Sequence, residues 1–230
     1  MSTRTVSTSS ERHSYHDNPR LDVVKYLNNA LNGEVGDVLE LGGGSGAFAS
    51  QFCQLMHPMR YVIVDVVKHR QDNAVIEDIQ GDAAEFVCKG GPQEFDLIIM
   101  NDFFEHIVAG QDFMSGLISI LKDDGMIFIS APNLGNAGSI YSLIKGDFEY
   151  TKVGVLDETH VRFFTPKSLV RFFSRYGFVA EKIEPQSRFS PNYPPMKSII
   201  SRFLAKLGIF WLEHQFFCVF RKTGTQKDVS

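Results

Sequence analysis

Asp37-Val-Leu-Glu-Leu-Gly-Gly-Gly-Ser-Gly46 is a short apolar strand that runs directly into a glycine loop. A helix is expected to follow, from about Ala47 to Met56. Gly42, Gly44 and Gly46 alternate through the loop. Glycine there permits positive φ and lets a ligand approach the backbone closely. The helix N-terminus behind it adds partial positive charge. A bare strand-to-helix turn is the alternative, and it needs fewer glycines than this loop carries.

Working outward, the elements alternate. Upstream, Leu21, Val24, Tyr26, Leu27 and Leu31 have helical spacing from Asn18 to Leu31, with Pro19 suited to a first turn. Downstream, Tyr61-Val-Ile-Val-Asp65 is apolar on both faces, as buried parallel strands are. A weaker strand over Ala74–Ile79, a helical stretch over Ala83–Cys88 and a clear strand at Phe95–Met100 follow. A helix with an irregular middle is expected over Phe104–Leu121, then the turn Lys122–Gly125 and a strand at Met126–Ser130. This alternation predicts an α/β fold, a doubly wound, mostly parallel sheet with helices on both faces. Pro132–Phe164 is a long insertion rich in Gly, Asn and aromatics, expected to form a lid. Core elements resume with a helix over Pro166–Tyr176 and a strand over Phe178–Ile183. A proline-rich linker over 185–195, an amphipathic cap helix over Met196–Trp211 and a strand over Gln215–Arg221 complete the pattern.

The loop alone does not separate a nicotinamide cofactor from S-adenosylmethionine. Gly42-x-Gly44-x-x-Ala47 fits the dinucleotide fingerprint, and Asp65 lies where a ribose-binding acid belongs. Three further features favour the second ligand. Glu40 lies two residues before the loop, Asp82 follows the third strand, and Asn101 and Asp102 end the fourth. So many acids suit a ligand with an ammonium and a sulfonium and no phosphate.

These residues resemble those of class I S-adenosylmethionine-dependent methyltransferases. Val38–Gly46 looks like the first motif of that family. Asp65, Gly81-Asp82-Ala83, Phe95–Asn101 and Leu121–Gly125 match its later motifs in order and spacing. The resemblance covers about residues 20–184. It implies a Rossmann-like seven-stranded sheet with an antiparallel last strand. It also implies that Asp65 holds both ribose hydroxyls, that Asp82 and Ala83 contact the adenine, and that Gly42, Gly44, Gly46 and Asn101 face the methionine part. Glu40 stands where family members often carry Asp.

After the fourth strand comes Asn101-Asp102-Phe-Phe-Glu105-His106. On a helix Asp102 lies one turn from Glu105 and His106, so the three converge. With His160, in Asp157-Glu-Thr-His160, they supply ligands for Mg2+ or another divalent cation, leaving positions for substrate oxygens. The pattern is similar to metal-dependent methyltransferases of ubiquinone biosynthesis and of small-RNA 3′ ends. There the ion binds the acceptor hydroxyl and a neighbouring oxygen. Asp102 is one methylene shorter than their usual Glu. Without metal, His160 is a candidate general base or acceptor-orienting group, and Glu105 and His106 stand beside it. The stretch from Gly146 to Thr165 resembles a subgroup of sugar, surface-polysaccharide and natural-product pathways. Tyr141, Phe148, Tyr150, Phe163 and Phe164 either wall an acceptor pocket or form the lid's own core. Arg20 reads as a surface arginine, with a methionine carboxylate as its alternative partner.

Composition sets the bounds. The chain has 230 residues, 43% hydrophobic and 22% charged, an ordinary globular mix. Lys and Arg number 23 against 27 Asp and Glu, which does not suggest a nucleic-acid partner. Cys53, Cys88 and Cys218 lie far apart with no CxxC, as suits a reducing cytosol. No apolar run reaches the roughly 20 residues of a membrane span, and the N-terminus lacks a signal-peptide core. The expectation is therefore a cytoplasmic enzyme, monomer or homodimer. Its flexible tail would span 1–16, its methyltransferase domain 17–222, with the lid at about 132–164 and the cap helix at 196–211, and its C-terminal tail 223–230. O-methylation of a small-molecule hydroxyl on a sugar, natural-product or phenolic acceptor is the first reading. N-methylation of a small amine and a nicotinamide-dependent oxidoreductase are the alternatives.

Overall fold

A computed structural model describes residues 19–31, 35–67, 74–108, 110–188, 195–210 and 212–223. Tyr15, His16, Gly33 and most of both expected tails lie outside the described residues, as does most of the expected proline linker.

Seven strands form one sheet: β1 (Asp37–Leu41), β2 (Arg60–Asp65), β3 (Ile76–Gln80), β4 (Phe95–Asn101), β5 (Leu121–Pro132), β6 (Phe178–Pro185) and β7 (Gln215–Lys222). Their spatial order is β3-β2-β1-β4-β5-β7-β6. β1 to β5 run parallel, and β7 runs antiparallel between β5 and β6. Successive side chains of a strand point to opposite faces, so each buried strand feeds two cores. Leu39, Leu41, Val62, Ile98 and Met100 face α3 (Ala83–Cys88), α4 (Gly110–Ile120) and α6 (Pro166–Ser174). Val38, Tyr61, Ile63, Leu97 and Ile99 face α1 (Leu21–Ala30) and α2 (Ala47–Met56). This double burial explains why β2 and β4 read as apolar runs.

The strand order reverses between β1 and β4, so their connections diverge to opposite faces. That opens a crevice at the carboxyl ends of the strands. The glycine loop, Asp65, Gly81-Asp82, Asn101-Asp102 and the root of the insertion all follow strands into this one edge.

Several boundaries differ from expectation. The expected helix after β4 splits into a 3-10 turn at Phe104–His106 and α4. β5 begins at Leu121, and its register against β4 jumps from Phe95–Leu121 to Leu97–Met126. Residues 122–125 thus form an irregularity within the strand rather than a turn before it. Helix α1 starts at Leu21, and Pro19 lies before it because Arg20 takes a left-handed φ of 43°. The insertion contains a helix, α5 (Ala137–Ile144), capped by the Asn136 side chain. Its root is pinned by buried Asn133, whose Nδ2 donates to the Phe210 and Glu213 carbonyls at 2.8 and 3.0 Å. Helix α7 (Pro195–Lys206) is shorter than expected. It does not bury its stripe on the sheet: Ile199, Phe203 and Leu207 remain exposed. Among the described residues, no helix is long and apolar enough to cross a membrane.

Candidate active site

The glycine loop holds Gly42, Gly44 and Gly46 at φ of 74°, 54° and 73°. An L side chain is disfavoured there, and a Cβ on Gly42 would stand 2.7 Å from the Phe103 ring. Asp65, at the end of β2, locks the loop. Its Oδ2 accepts from the Gly44 amide and its Oδ1 from the Val67 amide, each at 2.9 Å. Asp82 caps α3, with Oδ1 accepting from the Ala84 and Glu85 amides at 2.8 and 3.0 Å. Ala83 beside it is buried.

Glu40 lies beneath the loop, 1% exposed, and accepts from the Tyr61 hydroxyl at 2.9 Å. Burial pushes its carboxyl up from 4.5 to about 7. The Tyr61 hydrogen bond and the buried Asn101 amide oppose that rise, and the Asp65 charge adds to it. Folded Glu40 therefore binds a proton that the unfolded chain releases between pH 4.5 and 7. Its contribution to stability is present below pH 4.5 and is lost as pH rises through about 7. The loss amounts to about 3 kcal/mol. Glu40→Gln should remove this slope. In urea titrations the variant should be more stable than the wild type at pH 8 and gain nothing at pH 4; parallel pH profiles would refute the assignment.

Beyond β4, Glu105, His106 and His160 come together. One ligand-capable atom from each lies within 4.8 Å of the others. Glu105 is 1% exposed, and neither carboxylate oxygen has a hydrogen-bond partner among the described residues. Burial, and secondarily the Asp102 charge, hold its carboxyl well above the usual range. The imidazoles are oriented by backbone: His106 Nδ1 bonds the Thr159 carbonyl and His160 Nδ1 the Val155 carbonyl, each at 3.1 Å. A carbonyl only accepts, so each Nδ1 carries hydrogen and each neutral ring keeps its lone pair on Nε2. The ring centroids are 5.0 Å apart.

Asp102 does not join this cluster, contrary to the sequence expectation. Its backbone turns left-handed, at φ 47°, which breaks the helical spacing to Glu105 and His106. Its Oδ1 accepts from the Ser130 hydroxyl at 2.7 Å and from Gln215 Nε2, and its Oδ2 pairs with Arg20. Arg20 is accordingly not a surface residue: its side chain is 12% exposed and also bonds Asp22 and Gln215. The partners lie far apart in sequence, so spacing gave no signal for them. The aromatic residues divide. Phe164 is core, stacked on Phe104 at 5.6 Å. Phe148, Tyr150 and Phe163 form an open cluster beside His160, and Tyr141 is exposed beside Lys145.

Comparison with known proteins gives the family and the fold. The sequence is 26% identical over 171 residues to the ubiquinone biosynthesis O-methyltransferase of Glaesserella parasuis, covering 69% of this chain and 72% of that protein. The enzyme of the same name from Burkholderia pseudomallei is 19% identical over 64% of this chain and 66% of its own length. Among solved structures, a SAM-dependent methyltransferase from Archaeoglobus fulgidus superposes with a TM-score of 0.56 at 20% identity, covering 89% of this chain and 95% of its own. The 1,6-didemethyltoxoflavin-N1-methyltransferase of Burkholderia thailandensis, solved with S-adenosylhomocysteine, gives 0.59 at 16% identity over 97% and 94%. A sequence model described as a methyltransferase domain matches residues 15–183. With the glycine loop, the acids at the strand ends and this match over most of its length, the chain belongs to the methyltransferase-domain family and is a class I S-adenosylmethionine-dependent methyltransferase.

Proposed function

We propose that the enzyme methylates a hydroxyl oxygen of a small molecule, with a divalent cation held by Glu105, His106 and His160. The observation that carries this reading is the Glu105 carboxyl, buried with no hydrogen bond from another residue among those described, beside two imidazoles whose Nε2 lone pairs are unspent there. Burying such a group unpaired is costly, and a bound cation offsets that cost. Two imidazoles and one carboxylate suit a transition ion such as Zn2+ or Fe2+ better than Mg2+, and Mn2+ serves as a paramagnetic probe of the site.

When bound, S-adenosylmethionine supplies a methyl group on a positively charged sulfur. Asp65 holds the ribose hydroxyls, Asp82 and Ala83 flank the adenine, and Glu40, Asn101 and the loop of Gly42, Gly44 and Gly46 receive the methionine end. These residues fix the sulfur so that an acceptor oxygen attacks in line. A C–O bond forms, the C–S bond breaks, and the hydroxyl proton must leave. A hydroxyl is a weak nucleophile near neutral pH, and a cation in the cluster supplies positive charge that favours its ionised form. If the cluster works without an ion, His160 Nε2 is the base, since its Nδ1 is committed to the Val155 carbonyl. The name of the ubiquinone biosynthesis relatives supports oxygen as acceptor. The toxoflavin relative methylates nitrogen by name, and an amine needs no such activation.

The test is S-adenosylhomocysteine release with panels of sugars, phenols and amines, in EDTA and in Mn2+. Turnover of hydroxyl acceptors that EDTA abolishes and Mn2+ restores is expected. Turnover of amines alone, or rates indifferent to the chelator, would overturn the proposal.

A further inference from the structure

We propose that Arg162 is the positioning residue that assembles the Glu105–His106–His160 cluster, strapping the segment after β4 to the returning segment of the lid. The inference rests on the reading of that cluster as the reactive centre.

The cluster is built from two stretches far apart in sequence. Glu105 and His106 follow β4, and His160 arrives 54 positions later from the lid. Neither stretch belongs to a strand of the sheet. Their mutual position therefore depends on contacts between them, and most of those run through residue 162 or its neighbour. The Val161 and Arg162 amides both donate to the Glu105 carbonyl, at 2.9 and 3.0 Å. The Arg162 side chain then reaches past Glu105 and His106: Nε donates to the Ile107 carbonyl and Nη2 to the Val108 carbonyl, the latter at 3.0 Å. The guanidinium carbon lies 5.8 Å from the Phe104 ring centroid and 5.7 Å from that of Phe172. Phe104 directly precedes Glu105 and is buried in the core. The arginine thus grips the 104–108 segment on both sides of the ligand pair, while its own backbone fixes His160 two residues away. The contact between His106 Nδ1 and the Thr159 carbonyl closes the ring of bonds.

Only a planar fork with donors on separate nitrogens bonds two successive carbonyls while lying against two aromatic rings. Lysine keeps the charge and loses that geometry. Arg162 touches none of the reacting atoms; it acts through where Glu105, His106 and His160 stand.

Two variants test this. Arg162→Lys removes the fork. Gly110→Ala keeps the arginine and displaces it, because a Cβ there would stand 2.6 Å from Nη2. Mn2+ affinity is followed by electron paramagnetic resonance and S-adenosylhomocysteine affinity by calorimetry. Proximity of the His106 and His160 rings is read by NMR on histidine-labelled protein. Mn2+ binding should weaken about tenfold in Arg162→Lys, and in the same direction in Gly110→Ala, with cofactor-product affinity unchanged and the inter-ring signal diminished. A variant that only melts earlier, with Mn2+ affinity and the inter-ring signal intact, would overturn the proposal. Should the wild type bind no Mn2+, the cation reading falls, and the NMR signal alone decides Arg162: lost in the variants, the strap stands; retained, it does not.

Discussion

Asp65→Ala is expected to weaken S-adenosylhomocysteine binding by about a hundredfold, about 2.7 kcal/mol. Two effects add. The carboxylate is the proposed partner of both ribose hydroxyls, and hydrogen bonds to a charged group contribute about 1.5–3 kcal/mol each. It also holds the glycine loop through the Gly44 amide. Asp65→Asn separates these from simple loss of volume. Both carboxylate oxygens accept from backbone amides, Oδ2 from Gly44 and Oδ1 from Val67. Whichever way an asparagine amide is turned, its NH2 meets an N–H donor. The isosteric variant should therefore bind poorly too, by about tenfold or more. Calorimetry with circular dichroism as a check on folding measures both. Wild-type affinity in Asp65→Ala would remove the basis for placing the cofactor on this edge of the sheet.

The parts of the molecule that sequence made legible are those whose signal is local. β1 and its glycine loop occupy ten consecutive residues, and the double-faced burial of β2 and β4 is written in uninterrupted apolar runs. The antiparallel seventh strand followed from the family resemblance rather than from any pattern in Gln215–Lys222. Where spacing misleads, the deciding contacts are remote. Asp102 takes its partners from positions 20, 130 and 215. Helical spacing to Glu105 was the only local evidence, and a single left-handed residue cancels it. Helix α5 was hidden because Gly135 and Gly138 weaken its opening, although Asn136 is an ordinary helix-capping residue. The exposed stripe of α7 shows the converse: amphipathic spacing predicts a helix and says nothing of what covers its apolar face.

The position of Asp102 leads to the second large effect. A four-ligand site and a three-ligand site make opposite predictions for this residue. In the structure both Asp102 oxygens are taken, and releasing them would strip Arg20 of one of its two carboxylates, leaving Asp22 and Gln215, in a nearly closed environment. Asp102→Ala should therefore leave Mn2+ affinity unchanged while lowering stability by about 1–3 kcal/mol, the cost of an arginine that loses its hydrogen-bonded carboxylate. Glu105→Gln keeps the shape and removes the cluster's only carboxylate. Its Mn2+ affinity should fall by about a hundredfold or more, and methyl transfer to a hydroxyl should fall with it. The same variant should fold at least as stably as the wild type without metal, because it no longer buries an ionisable carboxyl whose pKa burial has raised. Thermal melts then separate the two residues. At a hundred times its dissociation constant a ligand stabilises the native state by about 2.7 kcal/mol, which for a chain of this length raises the midpoint by about 5–10 °C. Wild type and Asp102→Ala should both show that shift with Mn2+, and Glu105→Gln and His160→Ala should not. A shift lost in Asp102→Ala would mean that the carboxylate leaves Arg20 to ligate the ion, and the three-ligand site would have to be abandoned. A shift retained in Glu105→Gln would remove the buried carboxyl from the cation's coordination and, with it, the reason for placing the reaction there.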